Sequence, residues 1–253
     1  MPRVAPFVYF RKYRDQVRVA QHVDGTALLH LVAAFGAHGY AFGPPQLNHP
    51  KPDFNGPVRE HAARPLASDD VIVSATRVEL GEDNGCRKRV LRGNTTLESH
   101  IERAWSRVLL VSDRRQIATR PSVERYFEAG RASRRNVEFF VADHARYKAF
   151  PSDGRARVPS PAPTAGYLLR VRELFPGGPG YCGAFGMNSS TGLVWSALLL
   201  TRFPELVEKE GFFMAEMRGT IPDRPFDLSF VEDWDCEIVL KAPAEPPLEA
   251  HAG

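Results

Sequence analysis

This chain is short of cysteine, of lysine and of long apolar runs, and each shortage excludes something. Its three cysteines, Cys86, Cys182 and Cys236, are odd in number, far apart and without C-x-x-C spacing. That pattern argues against a disulfide framework and against a structural zinc site, so a reducing cytoplasm is the expected location. No segment approaches the roughly 20 apolar residues that cross a bilayer, and Met1-Pro2-Arg3-Val4-Ala5-Pro6-Phe7 lacks the apolar core of a secretion signal. The expectation is a soluble protein without a membrane partner. Neither His-Glu-x-x-His nor His-x-His occurs; His22, His30 and His38 recur every eight residues, a poor shared helical face for one ion. No metal site is expected, and nothing in the pattern names a cofactor.

Lysine is scarce because arginine replaces it, 6 against 27, and alanine and proline are abundant as well. GC-rich coding accounts for all three biases, so arginine content by itself is not a phosphate signal. Its distribution carries more information. Between Cys86 and Arg135 there are 13 basic residues against 5 acidic, whereas between Glu205 and Glu237 there are 3 against 10. Arg114, Arg115, Arg120, Arg131, Arg134 and Arg135 lie in the basic stretch, beside Tyr126 and Phe127, and form a candidate surface for nucleic acid or another anion. The competing reading is a solvated helical surface whose arginine stems cover apolar neighbours.

With 253 residues, 43% of them hydrophobic and 25% charged, the chain can bury a substantial core. A single globular domain is expected over residues 1–241, with 150–164 as the one place where it would divide, and a disordered tail over 242–253. Alternating residues predict strands at Phe7–Phe10 and Gln16–Ala20. Asp24 can cap a helix over Thr26–Ala37. Six prolines between Phe42 and Ser68, and four between Phe150 and Thr164, predict long irregular loops. Val71-Ile72-Val73 opens a strand, followed by a hairpin turn at Gly81–Gly85. Thr95-Thr96-Leu97-Glu98 forms a capping box for a helix whose inner face carries Leu97, Ile101, Trp105, Val108 and Leu109. Pro121 starts a further predicted helix. Strands are expected at Val137–Val141, Ala165–Leu174, Gly211–Met217 and Cys236–Leu240, and a helix over Thr191–Phe203. Together these elements give an α+β fold: a mixed, partly antiparallel sheet covered by helices, with long Pro-rich loops.

The most distinctive segment is Gly177 to Gly192, which carries four further glycines between those ends and then enters the apolar run Leu193–Leu200. It reads as a glycine-rich loop feeding a buried helix. Such a loop lets backbone N–H groups approach a ligand, and the helix aims its positive end at the same place. Gly183, Gly186, Asn188, Ser189, Ser190 and Thr191 are therefore the candidate ligand-binding residues. Cys182, followed by Gly183 near a helix start, is the candidate nucleophile, with His144 as its candidate base. Neither G-x-x-x-x-G-K-[ST] nor a clean G-x-G-x-x-G follows a strand here, and the bland reading is a turn with an ordinary Ser/Thr helix cap.

Gly180-Tyr181-Cys182-Gly183 resembles the cysteine elbow of class I glutamine amidotransferases. That resemblance implies a catalytic histidine downstream, where this chain has only His251. Gly183 to Thr191 resembles the phosphate loop of galactokinase-type kinases. Both likenesses stop at the loop, and no family follows from them. The function expected from the residues is binding of a small phosphorylated or nucleotide-like anion at the loop and helix start, with catalysis left open. The alternative is a noncatalytic module whose arginine-rich middle docks on nucleic acid or an acidic protein partner.

Overall fold

The computed structural model describes residues 1–8, 10–13, 16–19, 22–47, 66–75, 96–110, 139–141, 146–147, 163–219 and 228–242. In chain order the elements are β1 (Arg3–Val8), β2 (Phe10–Tyr13), β3 (Gln16–Val19), α1 (His22–Ala37), β4 (Ala41–Phe42), β5 (Gln46–Leu47), β6 (Val71–Ser74), α2 (Thr96–Ser106) and β7 (Val108–Leu110). They continue with β8 (Phe139–Val141), β9 (Thr164–Val171), β10 (Gly180–Gly186), α3 (Ser189–Thr201), β11 (Gly211–Arg218) and β12 (Asp235–Ala242). Short 3-10 turns at Pro204–Val207 and Leu228–Asp233 precede β11 and β12.

Eight strands form the main sheet. Seven follow the order β12-β11-β9-β10-β6-β1-β4, and β5 also pairs with β1. The half containing β10, β6, β1, β4 and β5 is parallel, while β9, β11 and β12 add antiparallel partners beside β10. The fold is α+β with a mixed sheet covered by helices, as the residue pattern predicts. β2–β3 and β7–β8 form two smaller pairs.

Apolar residues fill both faces of the sheet. On the first, α1 and α3 lie over Val4, Val71, Val73, Leu168, Cys182 and Phe213. On the second, Ile101, Ala104 and Trp105 of α2 pack with Phe7, Ile72, Tyr181, Phe185 and Phe212. A strand covered on both faces needs a nearly continuous apolar run instead of alternation, which is what Val71-Ile72-Val73 supplies. Residues Thr191 to Leu199 of α3 are all buried, so the helix is apolar all round because the sheet and α1 enclose it.

Two arginines tie the connections down. Arg170 is 8% exposed, and its guanidinium donates to the carbonyls of Val207, Val171 and Tyr181. Arg202, just past α3, donates to the carbonyls of Val231, Glu232 and Trp234, satisfying the end of the Leu228–Asp233 turn. Both cations therefore tie together backbone carbonyls of neighbouring elements.

Three expectations about local structure are corrected. The segment after Gly178 is not a loop: Gly180–Gly186 is β10, a central strand bonded to β9 and β6. Val108 and Leu109 leave the helix and form β7, because α2 ends at Ser106. β1 begins at Arg3, ahead of the expected strand, with Pro6 taken into the ladder opposite Val73. The predicted hairpin turn at Gly81–Gly85 and the helix from Pro121 lie outside the described residues.

Candidate functional site

The glycines of β10 supply room. None of those between Gly178 and Gly192 has a positive φ; in this segment only Gly177 does. A Cβ on Gly183 would strike the Tyr181 hydroxyl and lie 2.6 Å from Cζ2 of Trp105. One on Gly186 would lie 2.5 Å from the backbone N of Gly192. The strand thus ends hard against the first turn of α3, and the bare backbone at Gly186 and Gly192 permits that approach. The same need appears across the sheet, where a Cβ on Gly166 would lie 2.5 Å from the Trp195 ring.

Asn188 caps α3 from an extended backbone, and its Oδ1 accepts from the Thr191 N–H at 2.9 Å and from the Thr191 hydroxyl at 2.8 Å. Thr191 is buried, with its hydroxyl 3.4 Å from that of Thr164 at the start of β9. Ser190 is partly exposed. Among the described residues, nothing hydrogen-bonds the N–H groups of Ser189 and Ser190, and the first turn contains no acidic residue. Of the expected ligand residues, Asn188 and Thr191 are thus occupied with the cap, Gly183 is inside the sheet and Gly186 abuts the helix. The two backbone donors at Ser189 and Ser190 remain at the end.

Cys182 is in the middle of β10 with 0% exposure, and burial pushes its thiol up to about 12, against a smaller opposing pull from Arg170. A thiol in that state is neutral and covered, the reverse of the open, low-pKa group a nucleophile needs. The elbow reading of Gly180–Gly183 fails for the same reason, since these residues form a regular ladder with β9 and β6. His144 lies outside the described residues, as do Arg114, Arg115, Arg120, Arg131, Arg134 and Arg135.

No family model, no curated protein and no solved structure matches the chain. Geometry therefore carries the remaining argument. After β1 and β10 the next described helices, α1 and α3, cover one face of the sheet, while α2, the next described helix after β6, covers the other. Connections diverging to opposite faces open a crevice at the carboxyl ends of parallel strands, the common ligand position in such sheets. Here that edge carries Val8, Ser74, Gly186 and the α3 N-terminus.

Sequence reasoning missed the polar network beneath this edge. The Trp105 Nε1–H donates to the Tyr181 hydroxyl at 2.7 Å, and Tyr181 Oη is 2.6 Å from Ser74 Oγ. Burial raises the pKa of Tyr181, so the phenol stays protonated and the network is neutral. Its one sequence signal is Ser74, a hydroxyl closing the apolar run Val71-Ile72-Val73; the partners 31 and 107 positions later carry no such mark. Among the described residues no three His, Cys, Asp or Glu side chains gather to hold a metal. Nor is any described helix long and apolar enough to cross a membrane.

Proposed function

We propose that this protein binds a small phosphorylated or nucleotide-like anion at the N-terminus of α3, over the carboxyl edge of β1, β6 and β10. The observation that carries the reading is the pair of N–H groups at Ser189 and Ser190, which find no partner among the described residues and belong to a helix with no acid in its first turn. The burial of α3 supports it, because water screens a buried helix dipole poorly. Gly186 and Gly192 bring the strand end and helix start together, as backbone recognition of a phosphate requires. A cytoplasmic location belongs to the same proposal: Cys182 and Cys236 are both free thiols. No residue is assigned to a chemical step.

Ser190→Asp separates binding from folding. A carboxylate in the first turn suits the helix dipole and preserves or raises stability, by about 0.3–1 kcal/mol, while it repels an incoming anion. The melting temperature of the unmodified protein is expected to rise with at least one of inorganic phosphate, ribose 5-phosphate, AMP and ATP, and Ser190→Asp to lose that response while melting no lower unliganded. An equal response in both proteins would overturn the assignment. Retention on heparin without a response to any of these compounds would move the anion to the arginine-rich segment instead.

A further inference from the structure

The seam between α1 and α3 is almost free of charge, yet a histidine stands in it. His30 of α1 is 9% exposed, and its Nδ1 lies 3.2 Å from Oγ of Ser196 on α3. Ser196 spends its own proton on the Leu193 carbonyl, at 2.8 Å. Its hydroxyl therefore has only a lone pair to offer the ring, and the Leu193 carbonyl beside it is also purely an acceptor. Nδ1 must carry the hydrogen. A second proton has one place to go, Nε2, and there it makes an imidazolium.

Among the described residues, the surroundings do nothing to balance that charge. α3 has no ionisable side chain over Ser189–Thr201, and β4 has none. β1 and the start of β6 bring Arg3 and Asp70, which pair with each other. The Pro204–Val207 turn brings Glu205, which is exposed, and Glu208 just beyond it meets His38 at the far end of α1. On α1 itself the remaining ionisable residues are His22 and Asp24 in the first turn. Over the packed side of α1 stands a cation, the Arg170 guanidinium, 5.9 Å from the Phe35 ring centre. Burial accordingly lowers the pKa of His30, with Leu193 opposing more weakly.

We propose that His30 is an acid-sensitive latch: a proton added at Nε2 places an uncompensated charge in the α1–α3 seam and lets α1 lift from α3 while the sheet stays formed. The direction follows from linkage. A group whose pKa is depressed on folding is neutral in the native state while the same group in a released helix already takes its proton, so acid favours release. The opening starts as pH falls below the ordinary histidine value, about 6.5. Each unit of depression multiplies the release constant on the order of tenfold.

Amide hydrogen exchange of the whole chain, corrected for its intrinsic pH dependence, tests this against His30→Gln, which keeps a donor for Ser196 but does not titrate. Between pH 7 and pH 5 the unmodified protein should lose protection in α1 and α3 on the order of tenfold more than His30→Gln, with β9 and β11 unaffected in both. The same loss in both proteins would overturn the latch. If His30→Gln does not fold, nitrogen NMR of the unmodified protein decides. The latch requires a neutral Nδ1–H ring at pH 7 whose protonation coincides with lost α1 protection. An Nε2–H ring, or protonation that leaves α1 protected, would overturn it.

Discussion

Asp70 shows at a single residue how donors around a buried carboxylate keep it charged. Its carboxylate accepts from the Arg3 backbone N–H at 2.9 Å, from the Arg3 guanidinium through two nitrogens, and from the Ala67 N–H at 2.8 Å. Burial alone would raise its pKa, but the Arg3 and Ala67 donors hold it below the usual aspartate range. Because the folded value is the lower one, Asp70 contributes stability above the unfolded aspartate value, about 3.9, and that contribution disappears as pH falls through the folded value. Asp70→Asn is expected to lower the denaturant midpoint clearly at pH 7 and by less at pH 3. A gap of the same size at both values would show that the carboxylate charge does not stabilise the fold. Cys182 obeys the opposite logic: among the described residues no donor meets its thiol, so burial keeps it neutral.

At the scale of elements, glycine separates packing from flexibility. Gly186→Ala would force a Cβ to 2.5 Å from the Gly192 backbone, where neither strand nor helix can yield cheaply, and should cost about 1–3 kcal/mol. Gly36, in the last turns of α1, has open space where a Cβ would stand, with nothing within 4 Å, so Gly36→Ala should gain about 0.5–1 kcal/mol from helix propensity alone. Urea unfolding of the two variants checks both signs, and a loss at Gly36 would mean that its bare surface is used for contact. The outer strand illustrates a different control. β12 carries an extra residue, Val239, between the pairs Met214–Leu240 and Ala215–Ile238. Such a bulge breaks the regular ladder a second strand would need, and the exposed Glu237 adds charge to this outer strand.

For the whole molecule, the sheet is the shared wall of two cores, and the three tryptophans report both. Trp195 and Trp234 belong to the α1–α3 side, Trp105 to the α2 side. With fluorinated tryptophan, all three resonances are expected to lose native signal at one denaturant midpoint, because a central strand such as β10 cannot unfold from one face alone. Two midpoints would divide the chain into independent units. The sequence by itself determined the elements with strong local signals: the helix following Thr96, the buried helix before Pro204, the strands β9, β11 and β12, and the α+β class they compose. It also placed a helix start near Thr191 with a Ser/Thr cap, close to the observed first turn, although the cap is Asn188 and the helix opens at Ser189. Only the tertiary structure decided that Gly180–Gly186 is a strand. Its glycines are dictated by Trp105, Tyr181 and the first turn of α3, neighbours no local pattern can announce. The same holds for Cys182, whose reactivity depends on what covers it, and for the Ser74–Tyr181–Trp105 network, assembled across long separations. Position in the sheet sets burial, and burial sets what each of these side chains can do.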